Sequence, residues 1–236
     1  MIPFRNLAEA RTPDGSRLTL HEHDGDYFIK LDGRQLMSST STTSELLLAE
    51  HACEHLTRHR EPRVLIGGLG LGFSLKRVLE MVGKGAVVEV AELVPQVIDW
   101  NRQLLDAVNG RLLRDPRVRV LAADVFALLR NAKHGSYNAI LLDVDNGPTS
   151  FVQTKNSRLY NRRGLAVIRN ALSPNGRVAF WSAEPEPAFL DSLRRAGFDA
   201  QEVPAKAHER AKRFAHRIYV GERINAAGPD IPQSRK

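Results

Sequence analysis

The chain has a single cysteine, Cys53, among its 236 residues. One thiol excludes an internal disulfide, and it can form neither a thiolate metal cluster nor a redox pair. Apolar runs long enough to cross a bilayer are absent, and the first residues, 1–11, lack the basic and then apolar order of a signal peptide. We therefore expect a cytoplasmic protein with no membrane partner.

Acidic residues are fewer than basic ones, 27 against 34, which gives a formal net charge of +7. The basic side chains are densest in 111–119 and 206–217, and neither segment interleaves aromatics in the way of proteins that bind single-stranded nucleic acid. We interpret the excess of basic over acidic residues as a net charge that keeps the protein soluble, and we do not expect a nucleic-acid partner.

Glycine is concentrated where a short apolar run, Val64 to Ile66, gives way to a helix-like stretch. Gly68, Gly70 and Gly72 allow a tight turn and a close approach of the backbone to a ligand. A helix that starts near Ser74 directs its free amide groups at such a ligand. Glycine turns also serve as purely structural connections, so the surrounding residues must distinguish the two interpretations.

Strand-like and helix-like stretches alternate through most of the chain. We predict helices near 74–82, 95–107, 124–132, 158–172 and 186–196, separated by strands at 64–66, 86–91, 118–121, 139–142 and 177–181. Two further strands, at 199–203 and 216–221, are too close in sequence for a covering helix and form an antiparallel pair. The pattern predicts an α/β fold with a doubly wound, mostly parallel, seven-stranded sheet, the Rossmann-like form of class I methyltransferase-like domains.

The amino-terminal part, 1–43, is predicted as a small β-hairpin region and linker, ahead of a ligand-binding domain at 44–222 and a disordered tail at 223–236. Its hairpin places His21, His23, Asp24 and Asp26 close together, but the turn itself requires two of these residue types, so we assign no metal. In the linker, Thr42 and Glu45 have the spacing of a capping box for a helix that runs to about His59.

Acidic residues follow three of the predicted parallel strands, where ligands bind in sheets of this kind. Glu92 lies about 20 residues beyond the glycines, a spacing at which a carboxylate accepts both hydroxyls of a ribose. Asp124 is placed either to contact an adenine amino group or to cap the helix that follows it. A nicotinamide dinucleotide also fits the glycines and Glu92, whereas Asp124 favours an S-adenosylmethionine-type ligand.

A third acidic position ends the strand at 139–142. There Asp143 is followed by Asp145 and Asn146, which brings two carboxylates and an amide to the edge of the expected site. These groups suit a cationic amine, because a carboxylate can hold an ammonium group and accept its proton. The alternative is an Asx turn at 145–147 without chemistry.

Taken together, these motifs resemble the spermidine synthase, or polyamine aminopropyltransferase, family over roughly residues 27–222. The resemblance rests on Asp32 to Leu36, Gly67 to Gly72, Glu92, Asp124, Asp143 to Pro148, Leu159-Tyr160 and Leu172 to Gly176. It implies transfer of an aminopropyl group from decarboxylated S-adenosylmethionine to a small-molecule amine, without a metal, by a homodimer. It also implies residue roles: catalysis for Asp143, co-substrate binding for Gly68, Gly70, Gly72, Glu92 and Asp124, and substrate binding for Asp145, Asn146, Tyr160 and Gln35.

The chain departs from the family pattern at the amine side of the site. Leu71 stands where the family's glycine motif carries an aspartate, and Leu48-Ala49-Glu50 aligns with a Tyr-His-Glu of the family. The adenosine side keeps its residues. Two alternatives therefore stay open: an S-adenosylmethionine-dependent methyltransferase on the same scaffold, and a non-catalytic protein that binds an adenosyl ligand.

Overall fold

The computed structural model describes residues 3–144 and 157–224. Asp145 and Asn146, and the predicted tail beyond residue 224, lie outside the described residues. Two sheets and eight α-helices are found in the described part. No helix there is long and apolar enough to span a membrane.

The smaller sheet is antiparallel, in the order β1-β2-β3-β4, with the bounds β1 Arg5–Arg11, β2 Arg17–His23, β3 Asp26–Leu31 and β4 Arg34–Ser38. The predicted hairpin is β2 with β3, closed by Asp24 and Gly25, both with positive φ (52° and 82°). Asp32 and Gly33 repeat this turn between β3 and β4. The hairpin prediction is confirmed, and β1 extends it on the other side.

The larger sheet has the order β10-β11-β9-β8-β5-β6-β7. Its strands are β5 Arg63–Gly67, β6 Val87–Glu92, β7 Val118–Ala122, β8 Tyr137–Leu142, β9 Leu172–Ser182, β10 Phe198–Ala205 and β11 His216–Arg223. Only β11 runs antiparallel to both of its neighbours, and the other pairs are parallel. The predicted doubly wound, mostly parallel, seven-stranded sheet is confirmed.

The helices are α1 Thr43–Cys53, α2 Phe73–Met81, α3 Pro95–Gln103, α4 Asp106–Asn109, α5 Val125–Asn131, α6 Ser157–Tyr160, α7 Arg162–Ala171 and α8 Pro187–Arg195. Two of the predicted helices are each divided in two. In the segment predicted as a helix at 158–172, the break falls at Asn161, whose side chain accepts a hydrogen bond from the Gly164 amide at 2.9 Å and so starts a new helix.

The predicted capping box at the start of α1 is wrong. Thr42 occupies the N-cap position, but its backbone is near-helical (φ −114°, ψ −5°) and its side chain makes no capping hydrogen bond. Glu45 instead accepts a hydrogen bond from the Ser44 hydroxyl at 2.9 Å. The helix ends at Cys53, and a 3₁₀ turn, Glu54–Leu56, follows it, so it stops short of the predicted end at His59.

Apolar side chains pack against both faces of the larger sheet. Its central strand, β5, is buried from Val64 to Gly67, as expected for a strand covered on both sides. Leu48 and Ala49 of α1 are fully buried in the same core as Leu71. The carboxyl ends of β5, β6, β7 and β8 therefore meet at one edge of a rigid scaffold.

Candidate functional site

The glycine turn after β5 has a backbone that only glycine adopts easily. Gly68, Gly70 and Gly72 have φ values of 90°, 50° and 88°, in the left-handed region. A Cβ atom at Gly68 would overlap the carbonyl oxygen of Asp143, and one at Gly70 would lie 2.6 Å from Met37 Sδ. Gly68 and Gly70 line a cavity, whereas Gly72 is the N-cap residue of α2 and lies outside the cavity lining.

Glu92, at the end of β6, is buried and binds the glycine turn directly. One carboxylate oxygen accepts a hydrogen bond from the Leu69 amide, and the other accepts one from the Val94 amide, both at 2.9 Å. Burial raises the pKa of Glu92, and these amide hydrogen bonds act in the opposite direction. The amides of Gly70 and Leu93 also lower the pKa of Glu92, so backbone donors from the glycine turn and from the residues after β6 surround this carboxylate at the cavity that it lines.

Asp124 lines the same cavity and also caps α5. Its Oδ1 accepts a hydrogen bond from the Phe126 amide at 2.8 Å, so the capping alternative is present in the structure. Its Oδ2 pairs with Arg158, whose guanidinium lies 4.8 Å from the centre of the Phe126 ring. The sequence analysis missed Arg158, because the two residues are 34 positions apart and no local motif connects them.

Asp143 follows β8 and lies against the glycine turn, with its amide donating to the Gly67 carbonyl at 3.0 Å. Burial, followed by the charge of Glu45, raises the pKa of Asp143 to about 7. Burial also raises the pKa of Glu45. Both carboxylates line the cavity. Glu45 was missed as a site residue because its spacing from Thr42 suggested a helix cap.

The amino-terminal sheet forms an apolar wall of the cavity. Five of its hydrophobic side chains contribute to the lining, together with Trp181 at the end of β9: Leu18, Ile29, Leu31, Leu36 and Met37. The Trp181 ring lies 4.8 Å from the ring of His216. The small sheet therefore completes a cavity that the larger sheet alone would leave open.

Two predicted substrate-binding residues lie outside the cavity lining. The side chain of Gln35 is exposed on β4, next to Leu36, which does line the cavity. Tyr160 is buried in the core, with its ring centre 5.9 Å from that of Phe180 and 5.6 Å from that of Phe189. Contact of either residue with a substrate stays a prediction, as it does for Asp145 and Asn146.

In the described residues, histidine, cysteine and carboxylate side chains form no group that could hold a metal ion. The hairpin histidines have other contacts. His21 Nε2 lies 2.9 Å from the Thr19 hydroxyl, and the His23 ring stacks on Phe4 with centres 4.3 Å apart.

The sheet order, the glycine turn and the acidic strand ends define a Rossmann-like domain of the methyltransferase type. No protein-family profile matches the chain. The chain is 30% identical over 186 residues to polyamine aminopropyltransferase 2 of Streptomyces coelicolor, over 72% of this chain and 31% of that protein. It is 29% identical over 120 residues to putrescine N-methyltransferase 1 of Nicotiana tabacum, over 49% of this chain and 29% of that protein.

Among solved structures, the fold is similar to that of a spermidine synthase in complex with the transition-state analogue AdoDATO. The TM-score is 0.70 at 17% sequence identity, over 93% of this chain and 73% of that one. The chain spans about a fifth to a third of the length of the curated aminopropyltransferases it matches. Together, these matches support the assignment of the chain to the spermidine synthase family as a divergent member.

We expect Gly68→Ala to lower the free energy of unfolding by at least about 2 kcal/mol, because it combines a positive φ with overlap of the Asp143 carbonyl. Urea denaturation measures the loss. Gly83→Ala is the matched control, since its added Cβ meets nothing within 4 Å. Equal stability of the two variants would contradict the assigned constraint.

We also expect the stability of the protein to depend on the ionisation of Asp143. Its folded-state pKa of about 7 lies above the ordinary value of 3.8, so the folded state holds the proton more tightly. That contribution is present at low pH and is lost as the pH rises through 7. Asp143→Asn should therefore raise the free energy of unfolding. This increase should be about 1–2 kcal/mol larger at pH 8 than at pH 5.5. A gain that is equal at both pH values in urea denaturation would refute this.

Proposed function

We propose that the protein transfers an aminopropyl group from decarboxylated S-adenosylmethionine to an amine, with release of methylthioadenosine. One observation carries the proposal: the described lining of the cavity contains four acidic residues and no lysine or arginine, in a chain with a net charge of +7. These residues are Glu45, Glu92, Asp124 and Asp143. An acidic cavity in a basic chain favours a cationic ligand. The similarity to proteins named polyamine aminopropyltransferase supports the same reaction.

The residues around the glycine turn fit the adenosyl part of such a co-substrate. Glycines without Cβ atoms permit close approach, and Glu92 brings a carboxylate, the acceptor that ribose hydroxyls need, to the cavity lining. Asp124 lies on the same side of the cavity, at the start of α5. This arrangement supports an adenosine site built from the ends of β5, β6 and β7.

Asp143 has the environment of a general base that works near neutral pH. Because its pKa is raised to about 7, Asp143 can take a proton from an ammonium group and release that proton again near neutral pH. The freed amine nitrogen then attacks the methylene carbon bonded to the sulfonium. The N–C bond forms as the C–S bond breaks, the electron pair stays on sulfur, and the proton resides on Asp143.

The same cavity argues against S-adenosylmethionine itself as the co-substrate. That molecule carries a carboxylate, and the described lining offers no cationic side chain to receive it. Wherever Glu45 or Asp143 is ionised, its charge would repel that carboxylate. This electrostatic argument favours aminopropyl transfer over the methyl transfer that the match to a putrescine N-methyltransferase suggests.

We expect Asp143→Asn to reduce turnover by about 10²–10⁴-fold, because the amide cannot accept the proton. Chromatographic detection of methylthioadenosine, formed from decarboxylated S-adenosylmethionine and a diamine, measures the reaction. For the wild-type protein, kcat/KM should fall as the pH decreases below about 7, where Asp143 becomes protonated. Asp199→Asn, an exposed change on β10, is the control and should keep full activity. Unchanged turnover in Asp143→Asn would overturn the assigned role.

A further inference from the structure

Glu45 and Asp143 come from different parts of the chain and line the same cavity. Glu45 lies in the first turn of α1, and Asp143 follows the end of β8. They are close enough for the charge of Glu45 to contribute to the raised pKa of Asp143. Two ionised carboxylates in one partly buried space repel each other, which favours a proton on one of them or a cation bound between them.

Within residues 3–144 and 157–224, neither carboxylate has a lysine or arginine partner. The neutral Ser44 hydroxyl donates a hydrogen bond to the Glu45 side chain at 2.9 Å, and the backbone amide of Glu45 also lowers the pKa of this carboxyl. Glu50, less than two turns further along α1, shows the usual alternative: it pairs with Arg77 at 2.9 Å. Among the described basic residues, none pairs with Glu45 or Asp143, although both acids line the cavity.

We propose that Glu45 is a substrate-binding residue that, together with Asp143, holds a primary ammonium group in the cavity. This proposal rests on the proposed function, in which both the aminopropyl donor and the acceptor carry such a group. An ammonium has three N–H donors and one positive charge, so it satisfies both carboxylates and relieves their repulsion.

The ammonium could belong to the donor or to the acceptor, and binding measurements with Glu45→Gln distinguish the two. Calorimetric titration uses three ligands: decarboxylated S-adenosylmethionine, methylthioadenosine, which has no ammonium, and 1,3-diaminopropane in the presence of saturating methylthioadenosine. Glutamine keeps the size of the side chain and removes its charge. Glu50→Gln removes a carboxylate on the same helix that is already paired with Arg77, and it serves as the matched control.

We expect Glu45→Gln to weaken one of the two ammonium ligands by about 10- to 100-fold, since it removes a charge-assisted hydrogen bond. Methylthioadenosine binding should change by less than about twofold, and Glu50→Gln should affect none of the three ligands by more than that. Selective loss of decarboxylated S-adenosylmethionine assigns Glu45 to the donor, and selective loss of the diamine assigns it to the acceptor.

Two results would overturn the proposal while leaving the proposed function intact. In one, both ammonium ligands bind Glu45→Gln as tightly as the wild-type protein. In the other, methylthioadenosine weakens as much as the ammonium ligands, which would mark a general disturbance of the cavity. A wild-type protein that binds neither methylthioadenosine nor decarboxylated S-adenosylmethionine would instead overturn the proposed function, and the assignment of Glu45 with it.

Discussion

The close approach of the glycine turn to the end of β8 determines the geometry of the whole site. Gly68 has no side chain, so its backbone can lie against the carbonyl of Asp143, and the Asp143 amide in turn donates to Gly67. Glu92 holds the other side of the turn through the Leu69 amide. This one contact region therefore sets the position of the proposed adenosine site relative to the proposed general base.

The fold was predictable from the sequence to a large extent. Buried strands covered by helices leave a periodic pattern, and all seven strands of the larger sheet were found from it. The errors fall where local signals were ambiguous. Thr42 and Glu45 have the spacing of a capping box, but the near-helical backbone of Thr42 prevents the capping hydrogen bond. Asn161 divides a predicted helix because it caps α7 through the Gly164 amide, and a glycine at that position is not a sequence signal for a helix cap.

The side of the cavity proposed to hold adenosine was predictable from the sequence, and the side proposed to hold the amine was less so. Gly68, Glu92, Asp124 and Asp143 each lie at the end of a parallel strand or within two residues after it, so the topology of the sheet brings them together. The apolar wall and Glu45 depend on how the small sheet and α1 pack over that edge, which no local pattern encodes. The side chains at the positions that depart from the family pattern belong to the hydrophobic core. Leu48, Ala49 and Leu71 are buried, and none of them lines the cavity.

The cavity, whose described lining is acidic and holds no lysine or arginine, is proposed to select a cationic co-substrate that lacks a carboxylate. Calorimetric titration of the wild-type protein with decarboxylated S-adenosylmethionine and with S-adenosylmethionine tests this most directly. We expect the decarboxylated form to bind at least about tenfold more tightly, a difference of roughly 1.4 kcal/mol. Equal or tighter binding of S-adenosylmethionine would contradict it.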